Sequence, residues 1–200
     1  MTKNSNQKTR RPPLKIMTKE QLLAQSFYAR SCEYCMLTRL AFINSLISTI
    51  GYVAHQSFEH MLKGGLADNG YGVNKMRDFQ HNLPSLLDEY MSISQRNNLK
   101  EFAGLLKRFD EKYILRYPIP KMGSHLITAA IRKKEIFKVA VSLGGKKIES
   151  FSYNLEEFDE LFCGLANIIN KDQIGYLINI STWKDMYRWE NYHLIDDTAV

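Results

Sequence analysis

Two short polar groupings carry the side chains best suited to chemistry in this chain. Glu59 and Lys63 lie four residues apart within a stretch of helical spacing, so both fall on one helix face. At that spacing an acid and a lysine support a helix by about 0.2–0.5 kcal/mol. Lining a cleft, the same pair would instead meet a phosphate or a nucleotide. His81 and Asn82 stand just ahead of an apolar run. A histidine there commonly bonds a backbone carbonyl and an asparagine caps the coming helix; ligand binding is the second reading. Cys32 and Cys35 form a CxxC, but the rest of the chain adds only Cys163, and a four-ligand zinc site needs a second pair or its Cys/His equivalent. Two buried thiols on one helix face are the expectation. His55 and His60, five apart, do not share a face closely enough for a metal pair. Gly64-Gly65 and Gly144-Gly145 lack the Lys-Ser/Thr that completes a phosphate loop. No metal or cofactor is therefore expected.

The elements that position these residues follow from composition and spacing. The 200 residues are 44% hydrophobic and 24% charged, which suits one folded domain rather than a disordered chain. Of the net charge of +6, residues 1–17 hold +5 through Lys3, Lys8, Arg10, Arg11 and Lys15. The high pI belongs to that arm, which serves either as a solubilising disordered terminus or as a phosphate-binding tail using Lys8, Arg10 and Arg11. It has no apolar core of the secretory kind, no stretch of about 20 apolar residues spans a membrane, and three cysteines suit a reducing compartment. A cytoplasmic location is expected.

Thr18 with Gln21 three residues on reads as a capping box. Apolar residues then recur at Leu22, Ala29, Met36 and Leu40, and again at Ile43, Ile47, Ile50, Ala54, Phe58, Met61 and Leu62. Two long helices in a hairpin are expected, with the break between Thr38 and Ser45. The second ends at Gly64-Gly65 or at Asp68-Asn69-Gly70. Pro84 opens a short helix with Leu83, Leu86, Leu87 and Tyr90 on its apolar side. Asn97-Asn98 caps another that buries Phe102, Leu105, Leu106, Phe109 and Tyr113, and Asn154 caps a third. The alternation from Ile136 to Tyr153, with Gly144-Gly145 as a turn, favours a β-hairpin over a helix. The aromatic stretch from Gly175 is expected to pack back on the body. The division is thus a basic arm over 1–17, a helical domain over 18–174 and an aromatic segment over 175–200.

The stretch from Gly51 to Pro118 resembles a HEPN domain. The cues are GYVAHQSFEHMLKGGLADNG (51–70), HNLPSLLDEY (81–90) and ILRYP (114–118), with Glu59 four before Lys63 and the short His-Asn-Leu at 81–83. The resemblance implies a mainly α, up-down helical bundle that forms a homodimer or higher homo-oligomer. It also implies a place among toxin–antitoxin, defence and RNA-processing proteins, with RNA and a protein antitoxin or defence partner as binding candidates. Catalytic members cleave RNA without metal, using an Arg and a His with four to six residues between them. The His moves a proton near neutral pH and the Arg holds the phosphate and its developing charge. This chain departs from that pattern. Arg116-Tyr117-Pro118 ends the expected helix with no His near, leaving Arg116 and Tyr117 as RNA-binding candidates, and Arg77 and His81 have only three residues between them. The formal match is Arg188-Trp-Glu-Asn-Tyr-His193, in the aromatic segment. Two functions follow: a metal-independent endoribonuclease, with Arg188 and His193 catalytic, or a non-catalytic module binding a nucleotide, nucleic acid or protein through Glu59, Lys63, Arg77, His81 and Asn82.

Overall fold

The computed structural model describes residues 17–112, 126–132, 142–143, 146–147, 150–179 and 181–193, and these are mainly helical. Helices α1 (Lys19–Ile43) and α2 (Ile47–Asp68) form the long hairpin. Thr18 caps α1 by the reciprocal bonds its sequence announces: its Oγ1 accepts from Gln21 N–H at 3.2 Å, and its own N–H donates to Gln21 Oε1 at 3.0 Å. The hairpin turns at residues 44–46, at the C-terminal end of the expected window. No glycine marks the place because Ser45 itself takes the left-handed conformation, φ 54°. Asn44 steadies the turn through Nδ2 to the Leu40 carbonyl at 2.8 Å. At the far end α2 stops at Asp68, and Gly70, φ 86°, takes the chain out as the Asp-Asn-Gly signal implies.

The buried face of α1 differs from the one its leucines suggest. Leu22, Ala29 and Leu40 are exposed, and of that expected set only Met36 is buried. The core face runs Ala24, Tyr28, Ser31/Cys32, Cys35, Arg39, Phe42, in steps of three and four. Tyrosine, cysteine and arginine carry it, which a search for aliphatic periodicity discounts. Cys32 and Cys35 are the buried thiols expected of them. On α2 the second run behaves as expected from Ile50 through Leu62. Gly64 and Gly65 do not end that helix. They let rings lie against its backbone, Tyr28 on one and Tyr90 on the other, where a Cβ would collide.

Beyond α2 come α3 (Val73–Arg77) and α4 (Leu83–Ser94), whose Leu83, Leu86, Leu87 and Tyr90 are buried as predicted. A 3-10 turn over Asn97–Phe102 leads into α5 (Ala103–Lys112), and α6 (Leu155–Ile169) begins at the Asn154 cap. Phe58 of α2 meets Phe109 of α5 and Phe158 of α6 at ring centroids of 5.1 and 5.2 Å. Tyr113 lies outside the described residues.

Two small sheets complete the described chain. β2 (Ser142–Leu143) and β3 (Lys146–Lys147) pair antiparallel, Ser142 with Lys147 and Leu143 with Lys146, in the hairpin sense that the glycine pair suggested. The parallel pairing of β1 (Leu126–Ala130) with β4 (Ser150–Asn154) has no counterpart in the sequence reading, because LITAA shows no apolar–polar alternation. No helix among the described residues is long and apolar enough to cross a membrane.

The last helices, α7 (Asp172–Asn179) and α8 (Ser181–Arg188), return to α1. Tyr187 is buried against Phe162, while Trp189 and Tyr192 are exposed. The return is tied by Arg39, wholly buried. Its guanidinium pairs with Asp159 of α6 and donates to the carbonyls of Met186 and Trp189.

Candidate functional site

The buried surface of α2 carries a polar stripe at steps of four, His55, Glu59 and Lys63, with Gln56 beside it. Helical geometry alone puts these on one face. The chain after α3 crosses that face. Its turn is forced by Gln80, φ 49°, and it delivers the Gln80 carbonyl and His81 to the stripe. α5 approaches from another side with Asp110.

Glu59, 3% exposed, is the hub. Its Oε1 accepts from Lys63 Nζ at 2.6 Å, and its Oε2 from His81 Nδ1 at 2.9 Å and Gln56 Nε2 at 3.0 Å. Burial pushes the Glu59 carboxyl up, but the hydrogen bonds and charges of Lys63 and His81 outweigh it and hold the acid below its ordinary range. An ionised carboxylate only accepts, so Nδ1 of His81 bears the hydrogen. His81 is 54% exposed, and Nδ1 is the nitrogen it turns to Glu59. Lys63 Nζ also donates to the Gln80 carbonyl at 3.1 Å. Deeper in, His55 puts Nε2 at 3.1 Å from Asp110 Oδ1, an oxygen that also accepts Leu83 N–H at 3.1 Å, and its Nδ1 lies 3.7 Å from Glu59. Carboxylate, imidazole, carboxylate and imidazole thus follow one another from α5 through α2 to the loop before α4.

Of the residues singled out by sequence, the structure brings together Glu59, Lys63 and His81. Asn82 adjoins them but is engaged as the cap of α4, its Oδ1 accepting Ser85 N–H at 2.8 Å. Arg77 is exposed at the end of α3, four residues before His81. Arg188 is exposed at the end of α8, and His193 is half-buried, its N–H donating to Asn191 Oδ1 at 3.2 Å. The buried Nε2 of His193 has no hydrogen-bond partner among the described residues. Lys8, Arg10, Arg11, Arg116 and Tyr117 lie outside the described residues. Gln56, Gln80 and Asp110 were not anticipated. The four-residue rhythm of polar groups along an apolar helix points to the first; nothing local points to Asp110, which the fold brings across 55 residues.

His60 borders the site from α2, stacked on Tyr34 at 5.4 Å and 5° and tilted against Phe27 at 5.5 Å. Burial lowers its pKa to about 4, with Glu59 opposing and Lys63, Arg30 and His81 adding to the fall. A histidine whose folded pKa is depressed contributes stability that is present above its unfolded value and lost as pH falls through the folded one. Wild type should therefore lose about 2 kcal/mol between roughly pH 6.5 and 4 through this ring, a figure discounted for its partial exposure. In His60→Phe the urea midpoint should fall less over that interval; equal slopes in the two proteins would refute the assignment.

Comparison with known proteins finds no matching family model, no matching curated protein and no matching solved structure.

Proposed function

We propose that this chain is a HEPN-like helical protein that acts on RNA as a metal-independent endoribonuclease, with His81 as its acid–base group. The observation that carries the reading is a half-exposed imidazole held through Nδ1 by a buried, ionised Glu59. Such an arrangement fixes the tautomer, steadies the ring and supports the imidazolium that forms when Nε2 takes a proton. In RNA the proton would come from a ribose 2′-hydroxyl. Its oxygen attacks the neighbouring phosphorus, the bond to the 5′-oxygen breaks as the imidazolium returns its proton to that oxygen, and a 2′,3′-cyclic phosphate and a 5′-hydroxyl result. The exposed Arg77 and the basic residues Lys8, Arg10 and Arg11 are suited to hold the phosphates. This moves the proposed centre from Arg188 and His193 to His81, since the half-buried ring of His193 keeps its Nε2 from solvent. A homo-oligomer, and a protein partner that restrains the activity in a defence or toxin–antitoxin setting, belong to the same proposal.

A second reading, a non-catalytic module that binds RNA, a nucleotide or a protein, draws on three other contacts. Lys63 already spends donors on Glu59 and on Gln80, and Asn82 is committed as a cap. The deciding assay is cleavage of single-stranded RNA in EDTA. We expect activity that falls about 10²–10⁴-fold in His81→Ala and is retained in His193→Ala. Loss in His193→Ala alone returns the centre to the C-terminal pair. Binding without cleavage in the wild type leaves the module.

A further inference from the structure

Away from the His81 stripe, a cleft of about 310 Å³ opens where α1 meets the junction of α6 and α7. Gln25, Tyr28 and Cys32 line it from α1, and Asn170, Asp172 and Tyr176 from the junction. The volume is at the lower end of small-molecule sites, about 300–1,000 Å³, which suits one ring system.

The lining decides what kind of ring. It offers two phenols, two side-chain amides and one carboxylate, and none of these described lining side chains is basic. A phosphate would find no cation, whereas a flat group with hydrogen-bond donors along one edge would find acceptors and aromatic walls. The walls are held in place. Tyr28 donates its hydroxyl hydrogen to Asp68 Oδ2 at 2.7 Å. Asn170 Oδ1 accepts Asp172 N–H at 3.1 Å, which sets the start of α7 and so the origin of its carboxylate. Tyr176 follows Asp172 by four residues, one helical turn, so both line the cleft from one face of α7. The Cys32 thiol, pushed up to about 12 by burial, is an inert floor and no nucleophile.

We propose that this cleft is a guanine-binding site. Guanine is the RNA base that presents two adjacent donors, N1–H and the exocyclic amine, to a single carboxylate. Asp172 accepts both, and Tyr176 stacks on the base in the sequence-tolerant manner of aromatic platforms. The sugar and phosphates point to solvent. Guanine of a free nucleotide and an unpaired guanine of RNA present the same edge. The choice of a base as occupant rests on the RNA reading above, but the site needs no cleavage and so stands apart from the role of His81.

Calorimetric titration of the full chain with guanosine, adenosine, uridine and spermidine tests it. Guanosine should bind, with Asp172→Asn and Tyr176→Ala each weakening it by tenfold or more while leaving the thermal melting of the free protein unchanged. Both substitutions are at surface positions, and the first keeps its shape. Guanosine binding equal in wild type and both variants overturns the proposal, as does no binding at millimolar concentration. So does preferential binding of spermidine, which would mark a general cation site. Competition between guanosine and a short guanine-containing single strand assigns the RNA source, and its absence overturns that source.

Discussion

Replacing Arg39 with alanine should lower the unfolding free energy by about 3–5 kcal/mol, a large share of the roughly 5–15 kcal/mol that holds a domain of this size. Arg39 and Asp159 are both essentially excluded from water. Truncating the arginine leaves the Asp159 carboxylate in the interior without its cation, and strips the carbonyls of Met186 and Trp189 of a donor. The remedy distinguishes this cause from lost packing. Arg39→Met with Asp159→Leu removes both charges at similar volume and should recover most of the deficit. A pH dependence supplies a second check. Burial pushes Asp159 up to about 6 against the pull of Arg39. A folded pKa raised above the unfolded one gives stability that is full below the unfolded value and lost as pH rises through the folded one. Without Arg39 the carboxyl rises further, so the deficit of Arg39→Ala should be smaller at pH 5 than at pH 7. Equal denaturant midpoints for wild type and Arg39→Ala would show that the pair is not what ties α1 to α6 and α8.

That same arginine shows where the sequence could and could not be read. Helix caps, the Asp-Asn-Gly stop and the apolar faces of α2 and α4 follow from rules that act within four residues, and the chain obeys the capping rule at Thr18, Asn82 and Asn154. The face of α1 does not, because its burial is decided by partners far away in sequence. Tyr28 reaches Asp68, and Arg39 reaches Asp159 and the end of α8. Leu22 and Leu40 lose to them because no helix among those described covers their side. The site divides along the same line. Glu59 and Lys63 were legible as an i, i+4 pair, and His81 as a histidine ahead of a cap. Their meeting depends on a left-handed Gln80, and Asp110 arrives from α5 only once the core has formed.

Glu59 is the residue whose loss should touch both stability and chemistry. Glu59→Ala leaves the Lys63 ammonium, 13% exposed, with the Gln80 carbonyl alone, and removes the acceptor of Gln56 and His81. Because Lys63 and His81 can turn to water, the expected loss is about 2–3 kcal/mol, below that of a wholly buried pair. Glu59→Gln keeps the shape and one acceptor oxygen, and about 1–2 kcal/mol is expected. The acid limb gives the sign. Glu59 is held below its ordinary range by Lys63 and His81, so its contribution is present above the unfolded carboxylate pKa and fades as pH falls through the lower folded value. Both variants should be nearer to wild type at pH 3 than at pH 7. On RNA, Glu59→Gln should also cut cleavage by about 10–100-fold, the share of the general acid–base factor that depends on an aligned ring. Cleavage measured well below the denaturant midpoint of each protein, where both are folded, separates this from mere instability. A variant that is destabilised but cleaves at an unchanged rate under those conditions would make Glu59 a strut for the α3–α4 loop, and His81 would then act without it.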